Sequence, residues 1–155
     1  MDIAVSLPQN GYTVTVRRGA LSEAGKLFDL DRRVLVVTDD GVPPVYAETV
    51  AAQCKAPTVV TLPQGEATKS LPYYAKLLHV LLENHFTRTD CVVAVGGGVV
   101  GDLAGFAAAS FLRGVDFYNI PTTVLSQVDS SIGGKVAIDF DGIKNCVGAF
   151  YQPRA

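Results

Sequence analysis

Long apolar runs are missing from this sequence, and its amino end carries no apolar leader. No uninterrupted apolar run reaches the roughly 18 residues that a membrane-spanning helix needs, so we expect no membrane partner. The first residues lack a basic region followed by a long apolar core, which argues against a secretory signal. The sequence therefore indicates neither a membrane protein nor a secreted one.

Clustered charge and paired cysteines are missing as well. The 13 basic and 15 acidic residues are scattered along the chain and give a net charge of -2. This argues against nucleic acid or an anionic membrane as the main partner. The cysteines Cys54, Cys91 and Cys146 show no paired spacing. An odd, widely spaced set fits reduced thiols, so we expect a cytoplasmic protein.

Histidine is scarce, and the two present do not form a metal-binding pattern. His79 and His85 are six residues apart and lack the i, i+4 spacing and the neighbouring carboxylates of a metal site. We interpret both as helix-surface residues. The residues alone therefore predict neither a metal centre nor a nucleophile–base pair.

The sequence does contain an alternation of apolar strands and helices, in a chain long enough for one domain with a real core. The expected strands are residues 3–7, 12–17, 34–38, 58–62, 91–95, 115–120 and 136–140. The expected helices are residues 20–29, 43–53, 70–84, 103–112 and 122–129. This order predicts an α/β fold, a Rossmann-like parallel sheet flanked by helices and joined by right-handed crossovers.

The two ends of the chain depart from this alternation. The first two strands are expected to form an antiparallel hairpin at one edge of the sheet, because Asn10-Gly11 favours a tight reversal. Residues 147–155 show no pattern of a closing helix. We therefore expect the chain to be one domain, residues 1–155, taken from a longer protein.

The most informative stretch is residues 91–113. Residues 96–101, Gly-Gly-Gly-Val-Val-Gly, satisfy G-x-G-x-x-G, with an apolar strand before them and a helix after. In that setting the free N–H groups and the positive end of the helix dipole face a bound anion. We predict nucleotide or phosphate binding. The alternative is that the glycines only let strand and helix pack closely, with Asp102 as a helix cap.

The acidic residues near strand ends leave two interpretations open. Ligands of parallel sheets bind beyond the carboxyl ends of the strands, where Asp39 and Glu66 are expected to lie. Each can accept hydrogen bonds from a ribose or belong to an ordinary polar loop. Asp116 stands about 20 residues after the glycines but begins a strand, so we interpret it as a solvated strand terminus.

The hydroxyl and basic residues in the second half of the chain also have two interpretations each. Thr122 and Thr123 either begin a helix or meet a phosphate. Arg113, Lys135 and Lys144 are cations in a region with few charges. They either bind a phosphorylated or carboxylated substrate or are solvated surface residues.

Three runs together resemble a known family. They are GGGVVGDLAGFAAASFLRG (Gly96 to Gly114), PTTVLSQVDSSIGGK (Pro121 to Lys135) and GIKNCVGAFYQP (Gly142 to Pro153). With GEATKS (Gly65 to Ser70) upstream, the chain resembles the amino-terminal, NAD-binding domain of the 3-dehydroquinate synthase family. The resemblance covers the whole chain.

The resemblance implies a particular reaction. The family converts 3-deoxy-D-arabino-heptulosonate 7-phosphate into 3-dehydroquinate and phosphate, a step of the shikimate pathway. NAD oxidises a substrate hydroxyl, which acidifies the adjacent C–H so that phosphate can leave, and the hydride then returns. A divalent metal, zinc or cobalt, acts as a Lewis acid. The family is expected to work as a homodimer.

The resemblance also implies roles for individual residues. The expected pyrophosphate contacts are Gly97, Gly98, Val99, Val100, Gly101 and Asp102. The expected contacts to the adenosine half are Asp39, Glu66 and Lys69, and those near the nicotinamide are Thr122 and Thr123. The positions matching the catalytic and substrate site are Asp129, Lys135, Lys144 and Asn145, of which Asp129, Lys135 and Lys144 also face NAD. Arg113 matches an arginine lent to the partner's site.

One departure from the family is large. The family's metal ligands, a glutamate and two histidines, belong to a helical carboxyl-terminal domain, so no metal ligand is expected here. We expect this polypeptide alone to bind NAD weakly and not to catalyse the reaction. The alternatives are another sugar-phosphate cyclase, of the 2-deoxy-scyllo-inosose or valiolone type, and a stand-alone nucleotide-binding module. Metal-dependent alcohol or glycerol dehydrogenases are a further relative by fold.

Overall fold

The structure, a computed structural model, describes residues 1–9 and 11–155. Its strands are β1 (Asp2–Val5), β2 (Tyr12–Thr15), β3 (Arg33–Asp39), β4 (Ala56–Leu62), β5 (Cys91–Gly96), β6 (Asp116–Pro121), β7 (Lys135–Phe140) and β8 (Ile143–Phe150). Its helices are α1 (Ala24–Leu27), α2 (Pro44–Ala51), α3 (Leu71–Glu83) and α4 (Gly98–Ser110). Short 3₁₀ turns span Ala20–Glu23, Glu66–Thr68 and Phe111–Arg113, and a π-helical turn spans Ser126–Ser130.

The central sheet contains four strands in the order β4-β3-β5-β6, and all neighbours are parallel. Val36 lies opposite both Val59 and Val93, so the strands are in step and end at one common edge. Along the chain, α2 follows β3, α3 follows β4 and α4 follows β5. The predicted Rossmann-like parallel sheet is confirmed.

The inner strands β3 and β5 are buried on both faces, which explains why their sequences are continuous apolar runs. Leu35 and Val92 face a core that α3 and α4 cover, with Leu77 and Leu103 among its fully buried side chains. The alternate strand residues face a second core under α1 and α2. In α3, Leu81 is fully buried, whereas Leu82 is 60% exposed because it is one position further around the helix and points to solvent.

The amino-terminal hairpin is confirmed, since β1 and β2 pair antiparallel from Asp2 opposite Thr15 to Val5 opposite Tyr12. It forms a two-stranded sheet of its own and is not hydrogen-bonded to the edge of the central sheet. The tight reversal predicted at Asn10-Gly11 rests on a residue outside the described ones. Ser70 is the N-cap residue of α3, although its side chain makes no capping bond to the described residues.

A second antiparallel hairpin, β7 with β8, lies outside the parallel sheet. We predicted the strand at residues 136–140 but no strand after it, so β8 was missed. Phe140 pairs with Ile143, which leaves Asp141-Gly142 as a two-residue turn with φ of 52° and 78°. Positive φ at both positions is what a type I′ turn requires, and Asp-Gly is among its preferred sequences. The hairpin packs on α4, where a Cβ on Gly105 would collide with the side chain of Val136.

The amino ends of the strands carry an ion-pair network. Asp116 accepts hydrogen bonds from Arg32 at 2.7 Å and from Arg154 at 2.8 Å, and Arg32 also donates to the Tyr118 hydroxyl at 2.9 Å. The interpretation of Asp116 as a solvated strand terminus is therefore wrong, because two guanidinium groups cover its carboxylate. Its side chain is only 28% exposed. This network lies at the opposite edge from the carboxyl ends of the strands.

Asp116→Asn is expected to lower the free energy of unfolding by about 1–2 kcal/mol at pH 7, a value reduced by the partial exposure of the pair. Burial alone would raise the pKa of Asp116, but hydrogen bonds from Arg32 and Arg154 outweigh burial and lower it. Its contribution is therefore present above the ordinary pKa of about 3.9 and lost as pH falls through the folded value. We expect urea unfolding between pH 7 and pH 3 to show that the difference in free energy of unfolding between the two proteins shrinks as the pH falls. A difference that stays constant over this range would contradict the prediction.

The structure also bears on the expectations about membrane spans, cysteines and histidines. In the part of the chain that the structure describes, no helix is long and apolar enough to cross a bilayer. The three cysteines are free thiols, and burial raises the pKa of Cys91 to about 12, while Cys146 is exposed. His79 and His85 are exposed, on α3 and just beyond it, as predicted.

Candidate functional site

The glycine turn connects β5 to α4 at the carboxyl edge of the sheet. A Cβ on Gly96 would lie 2.6 Å from Cγ2 of Val100, so close packing explains this glycine. A Cβ on Gly98 would lie 3.0 Å from the hydroxyl oxygen of Ser130, in the π-helical turn. The packing interpretation therefore holds for Gly96, and Gly98 is also closely packed, against a polar side chain.

α4 begins at Gly98, five residues earlier than we predicted, and Gly97 is its N-cap residue. Gly101 lies inside the helix, where a Cβ would be 3.3 Å from the Asn119 amide of β6. No side chain among the described residues caps the helix. The N–H groups of its first turn therefore have no intrahelical acceptor and face the end of the sheet. With the helix dipole they form an anion-binding geometry.

Asp102 is the fifth residue of α4, so the interpretation as a helix cap is wrong. Its carboxylate accepts a hydrogen bond from the Lys69 ammonium at 3.0 Å. Both side chains are largely buried, with 6% of Lys69 and 17% of Asp102 exposed. Glu66 lies 3.6 Å from the same ammonium and 3.7 Å from that of Lys144. The four residues make a line of alternating charge from the helix to β8.

The charges of this line alter its pKa values. Burial alone would lower the pKa of Lys69, but the hydrogen bond to Asp102 and the nearby carboxylates outweigh it, so the pKa is raised. Burial raises the pKa of Asp102, and Lys69 opposes that shift. Lys69 is therefore a buried, protonated residue that holds Asp102, and the adenosine contact predicted for it stays a prediction.

The strand-end acid Asp39 lies where we predicted, at the end of β3. Its carboxylate accepts the N–H of Gly41 at 2.9 Å, which fixes the turn after the strand. The next residue, Asp40, accepts the N–H of Gln64 from the loop that follows β4. The loops that carry Asp39 and Glu66 are thus tied together at the carboxyl edge of adjacent strands.

The two threonines lie on the other side of the glycine turn. The N–H of Thr122 donates to the carbonyl of Gly96 at 2.9 Å. The hydroxyl of Thr123 accepts the N–H of Ser126 at 3.2 Å, which is the bond of a helix N-cap. The capping interpretation therefore holds for Thr123. Its methyl group is near Gly97, where a Cβ would be 3.3 Å away, so the threonines still border the site.

A cleft of about 470 Å³ opens beside the glycine helix, between α4, the π-helical turn and the β7–β8 hairpin. Four predicted site residues line it: Asp102, Asp129, Lys135 and Asn145. Ser130, Cys146 and Phe150 line it too, and sequence reasoning did not single them out. For the last two, the overlooked signal was the Asp-Gly turn that starts β8. The cleft combines carboxylates, an ammonium and an amide, groups that can hold a polar, anionic molecule.

Residues 59–155 match the model of the 3-dehydroquinate synthase N-terminal family. The chain is 48% identical over 159 residues to the 3-dehydroquinate synthase of Rhodospirillum rubrum, covering 98% of this chain and 41% of that protein. It is 42% identical to that of Pseudoalteromonas translucida, covering 100% of this chain and 45% of that protein. The chain belongs to the 3-dehydroquinate synthase family. It spans less than half the length of these relatives.

Solved structures agree with this family. A 2-deoxy-scyllo-inosose synthase crystallised with carbaglucose-6-phosphate, NAD+ and Co2+ is 26% identical, with a TM-score of 0.91 over 99% of this chain and 44% of that chain. A 2-epi-5-epi-valiolone synthase from Streptomyces hygroscopicus, with NAD+ and Zn2+, is 26% identical, with a TM-score of 0.83 over 97% and 43%. Glycerol dehydrogenase from Schizosaccharomyces pombe, 21% identical with a TM-score of 0.62 over 86% and 33%, shares the fold.

The structure does not bring every residue implied by the 3-dehydroquinate synthase family into the cleft. Arg113 follows α4, whose 13 residues separate its two ends by about 20 Å. It is exposed, with φ of 68°, at the far end from the glycine turn. Lys144 is 73% exposed and turns toward Glu66. The roles of both residues stay predictions.

Proposed function

We propose that this chain is the NAD-binding part of a 3-dehydroquinate synthase. The observation that carries the proposal is the uncapped start of α4 at Gly98, next to a cleft that holds Asp129, Lys135 and Asn145. An anion-binding helix start beside a polar cleft suits a dinucleotide and a phosphorylated substrate held side by side. Family membership selects this pairing from the many that an α/β fold can support.

The cofactor end of the proposal rests on the glycine turn. In this proposal the N–H groups of Gly98 and Val99, which have no intrahelical acceptor, donate to the pyrophosphate. Asp39 and Glu66 accept hydrogen bonds from the adenosine half, and Thr122 and Thr123 border the nicotinamide half. Bound NAD supplies reversible oxidation of a substrate hydroxyl.

The substrate end of the proposal is the cleft. Lys135 and Asn145 hold the phosphate of 3-deoxy-D-arabino-heptulosonate 7-phosphate, and Asp129 orients the reacting end. A lysine supplies a point charge and an amide supplies directed hydrogen bonds, which together suit a phosphate. The product pair is 3-dehydroquinate and phosphate, within the shikimate pathway.

A divalent metal does not fit the residues of this chain. Within residues 1–9 and 11–155, no three or more histidine, cysteine, aspartate or glutamate side chains lie together in a way that could hold a metal ion. The Asp102 carboxylate is already paired with Lys69. We therefore place no step of the reaction on a metal held by this half, and assign the zinc or cobalt of the family to the rest of the protein.

Assembly and setting form a further part of the proposal. Arg113 lies about 20 Å along α4 from the glycine turn, so it suits a partner's cleft better than its own. We therefore propose a homodimer in which Arg113 is lent across the interface. The free thiols and the low net charge support a cytoplasmic enzyme without nucleic acid or membrane partners.

A second candidate is another sugar-phosphate cyclase, favoured by the TM-score of 0.91 to the 2-deoxy-scyllo-inosose synthase. Sequence favours 3-dehydroquinate synthase, because the curated relatives with that activity are 40–48% identical against 26% for the cyclase. A stand-alone nucleotide-binding module is the lesser candidate, because the chain matches longer enzymes along its whole length.

A chimaera tests the proposed function. The chain replaces the matching first part of the Rhodospirillum rubrum synthase, and we expect it to convert 3-deoxy-D-arabino-heptulosonate 7-phosphate to 3-dehydroquinate with NAD and zinc. Phosphate release is the measurement. The 155-residue chain alone is expected to release none, and turnover by it would refute that expectation.

Lys135→Ala in the chimaera is expected to lower the rate about 100-fold while NAD still binds. A folded, NAD-binding chimaera without turnover would contradict the proposal.

A further inference from the structure

The β7–β8 hairpin is irregular at the point where it carries Asn145, one of the two proposed phosphate ligands. Ile138 pairs with Val147 and Phe140 pairs with Ile143, so the three residues 144–146 of β8 lie opposite the single residue Asp139. Bulges of this kind re-aim side chains and are common beside active sites. Here the bulge holds Lys144 and Asn145.

Asn145 is in an unusual conformation inside this bulge. Its φ is 55°, in the left-handed region, which asparagine adopts more readily than most residues but still at a cost. Its backbone N–H has left the regular ladder and donates to the Asp139 carboxylate at 2.8 Å. The carboxylate therefore takes the place of the missing ladder acceptor and fixes the residue whose side chain lines the cleft.

Asp139 is itself anchored to the cofactor side of the molecule. Its N–H donates to the carbonyl of Lys69 at 2.8 Å, and it pairs with Ser70 in a short parallel bridge. The side chain of Lys69 in turn holds Asp102 on the glycine helix. The bulge is thus connected to α4 through the backbone hydrogen bond from Asp139 to Lys69 and the ion pair between Lys69 and Asp102.

We propose that Asp139 is a positioning residue, which holds Asn145 and the bulge in the geometry that binds the substrate phosphate. The inference rests on the proposed function, because it gives Asn145 a phosphate to bind. Asp139 acts on Asn145 through its acceptor oxygen, since its hydrogen-bond partner there is a backbone N–H; its charge acts separately, on Lys69. Without that acceptor, the left-handed conformation of Asn145 loses the bond that compensates its strain.

The test uses inorganic phosphate as the probe and the 155-residue chain as the protein. Titration followed by ¹H–¹⁵N NMR gives the phosphate dissociation constant from the amides of Ser130 and Lys135, which line the cleft. Asp139→Ala is expected to raise that constant about tenfold, the effect of losing one hydrogen bond to a charged acceptor. The Asn145 amide proton is expected to lose the downfield shift of a carboxylate-bonded N–H.

Three further variants separate positioning from other roles. Asp139→Asn keeps an acceptor oxygen and is expected to bind phosphate within about twofold of the unaltered chain. Asp139→Glu keeps the charge and the fold but moves the carboxylate by one methylene, and we expect several-fold weaker binding. Asp141→Asn, on the same hairpin, removes the same charge from a turn residue and is expected to change nothing.

The outcomes are distinct. Unchanged phosphate affinity in Asp139→Ala and Asp139→Glu would overturn the inference, and so would an Asp139→Asn variant as weak as Asp139→Ala, because charge would then be the cause. If Asp139→Ala does not fold, the pair of Asp139→Asn and Asp139→Glu decides alone. If the unaltered chain shows no phosphate shifts at the cleft, the proposed function fails and takes this inference with it.

Discussion

Gly98→Asp is expected to weaken NAD binding at least about 100-fold while leaving the chain folded. Residue 98 is the first residue of α4, where no described side chain caps the helix. A carboxylate at that position suits the helix dipole, so the fold tolerates it. The same carboxylate occupies the place proposed for the pyrophosphate and repels it, while competing for the N–H groups that would hold it. Loss of two such charge-assisted bonds corresponds to about 3 kcal/mol or more, hence the 100-fold figure.

Gly98→Ala is the matched control for this variant. Its Cβ would lie 3.0 Å from the Ser130 hydroxyl, which a small rotation of that side chain can relieve. We expect it to weaken NAD binding less than about tenfold, since it adds bulk without charge. Isothermal titration with NAD, combined with a thermal melt of each variant, gives both quantities. Equal binding by Gly98→Asp and the unaltered chain would exclude the glycine turn as the pyrophosphate site.

The central sheet could be predicted from the sequence because its signals are local. The inner strands β3 and β5 are continuous apolar runs covered on both faces, such as residues 34–38, and each is followed by glycine or polar residues. The glycine turn could be predicted for the same reason, since strand, glycines and helix are consecutive. The carboxyl-edge location of Asp39 and Glu66 then followed from parallel topology alone.

The wall of the cleft formed by β8 could not be predicted so well, because the sequence of that strand lacks a regular alternation of polar and apolar residues. β8 is exposed along its whole length, so no alternation of polar and apolar residues marks it. Only the Asp141-Gly142 turn indicated the hairpin, and the bulge opposite Asp139 depends on a contact with Lys69 that is distant in sequence. The resemblance identified Asn145, while the geometry that holds it needed the structure.

Ion pairs between residues distant in sequence could not be predicted either. A helix cap was the alternative to an NAD contact for Asp102, and Asp116 was interpreted as a solvated terminus, because each lies where those roles are common. Their actual partners, Lys69 and Arg32, are 33 and 84 residues away. Pairing at that separation is set by the fold, and local spacing carries no information about it.

Lys69→Met is expected to lower the free energy of unfolding by about 3 kcal/mol at pH 7. The substitution preserves the apolar stem but leaves the Asp102 carboxylate, 17% exposed, without its cation. Removing one member of a buried pair costs about 3–5 kcal/mol, and the lower end applies because Asp102 retains some contact with solvent. Burial already raises the pKa of Asp102, and loss of Lys69 raises it further. The deficit is therefore smallest below about pH 4, where the carboxyl is neutral, and grows as pH rises.

The double variant Lys69→Met with Asp102→Asn decides whether the pair or its packing is responsible. If the cost arises from an unpaired buried charge, removing that charge restores much of the stability, and the double-mutant cycle gives a coupling of about 2 kcal/mol. Urea unfolding of all four proteins at pH 7 and pH 4 is the measurement. Additive losses at both values of pH would mean that Lys69 stabilises the fold through its methylenes alone. In that case the ion pair could not serve as the link between the glycine helix and the β7–β8 hairpin.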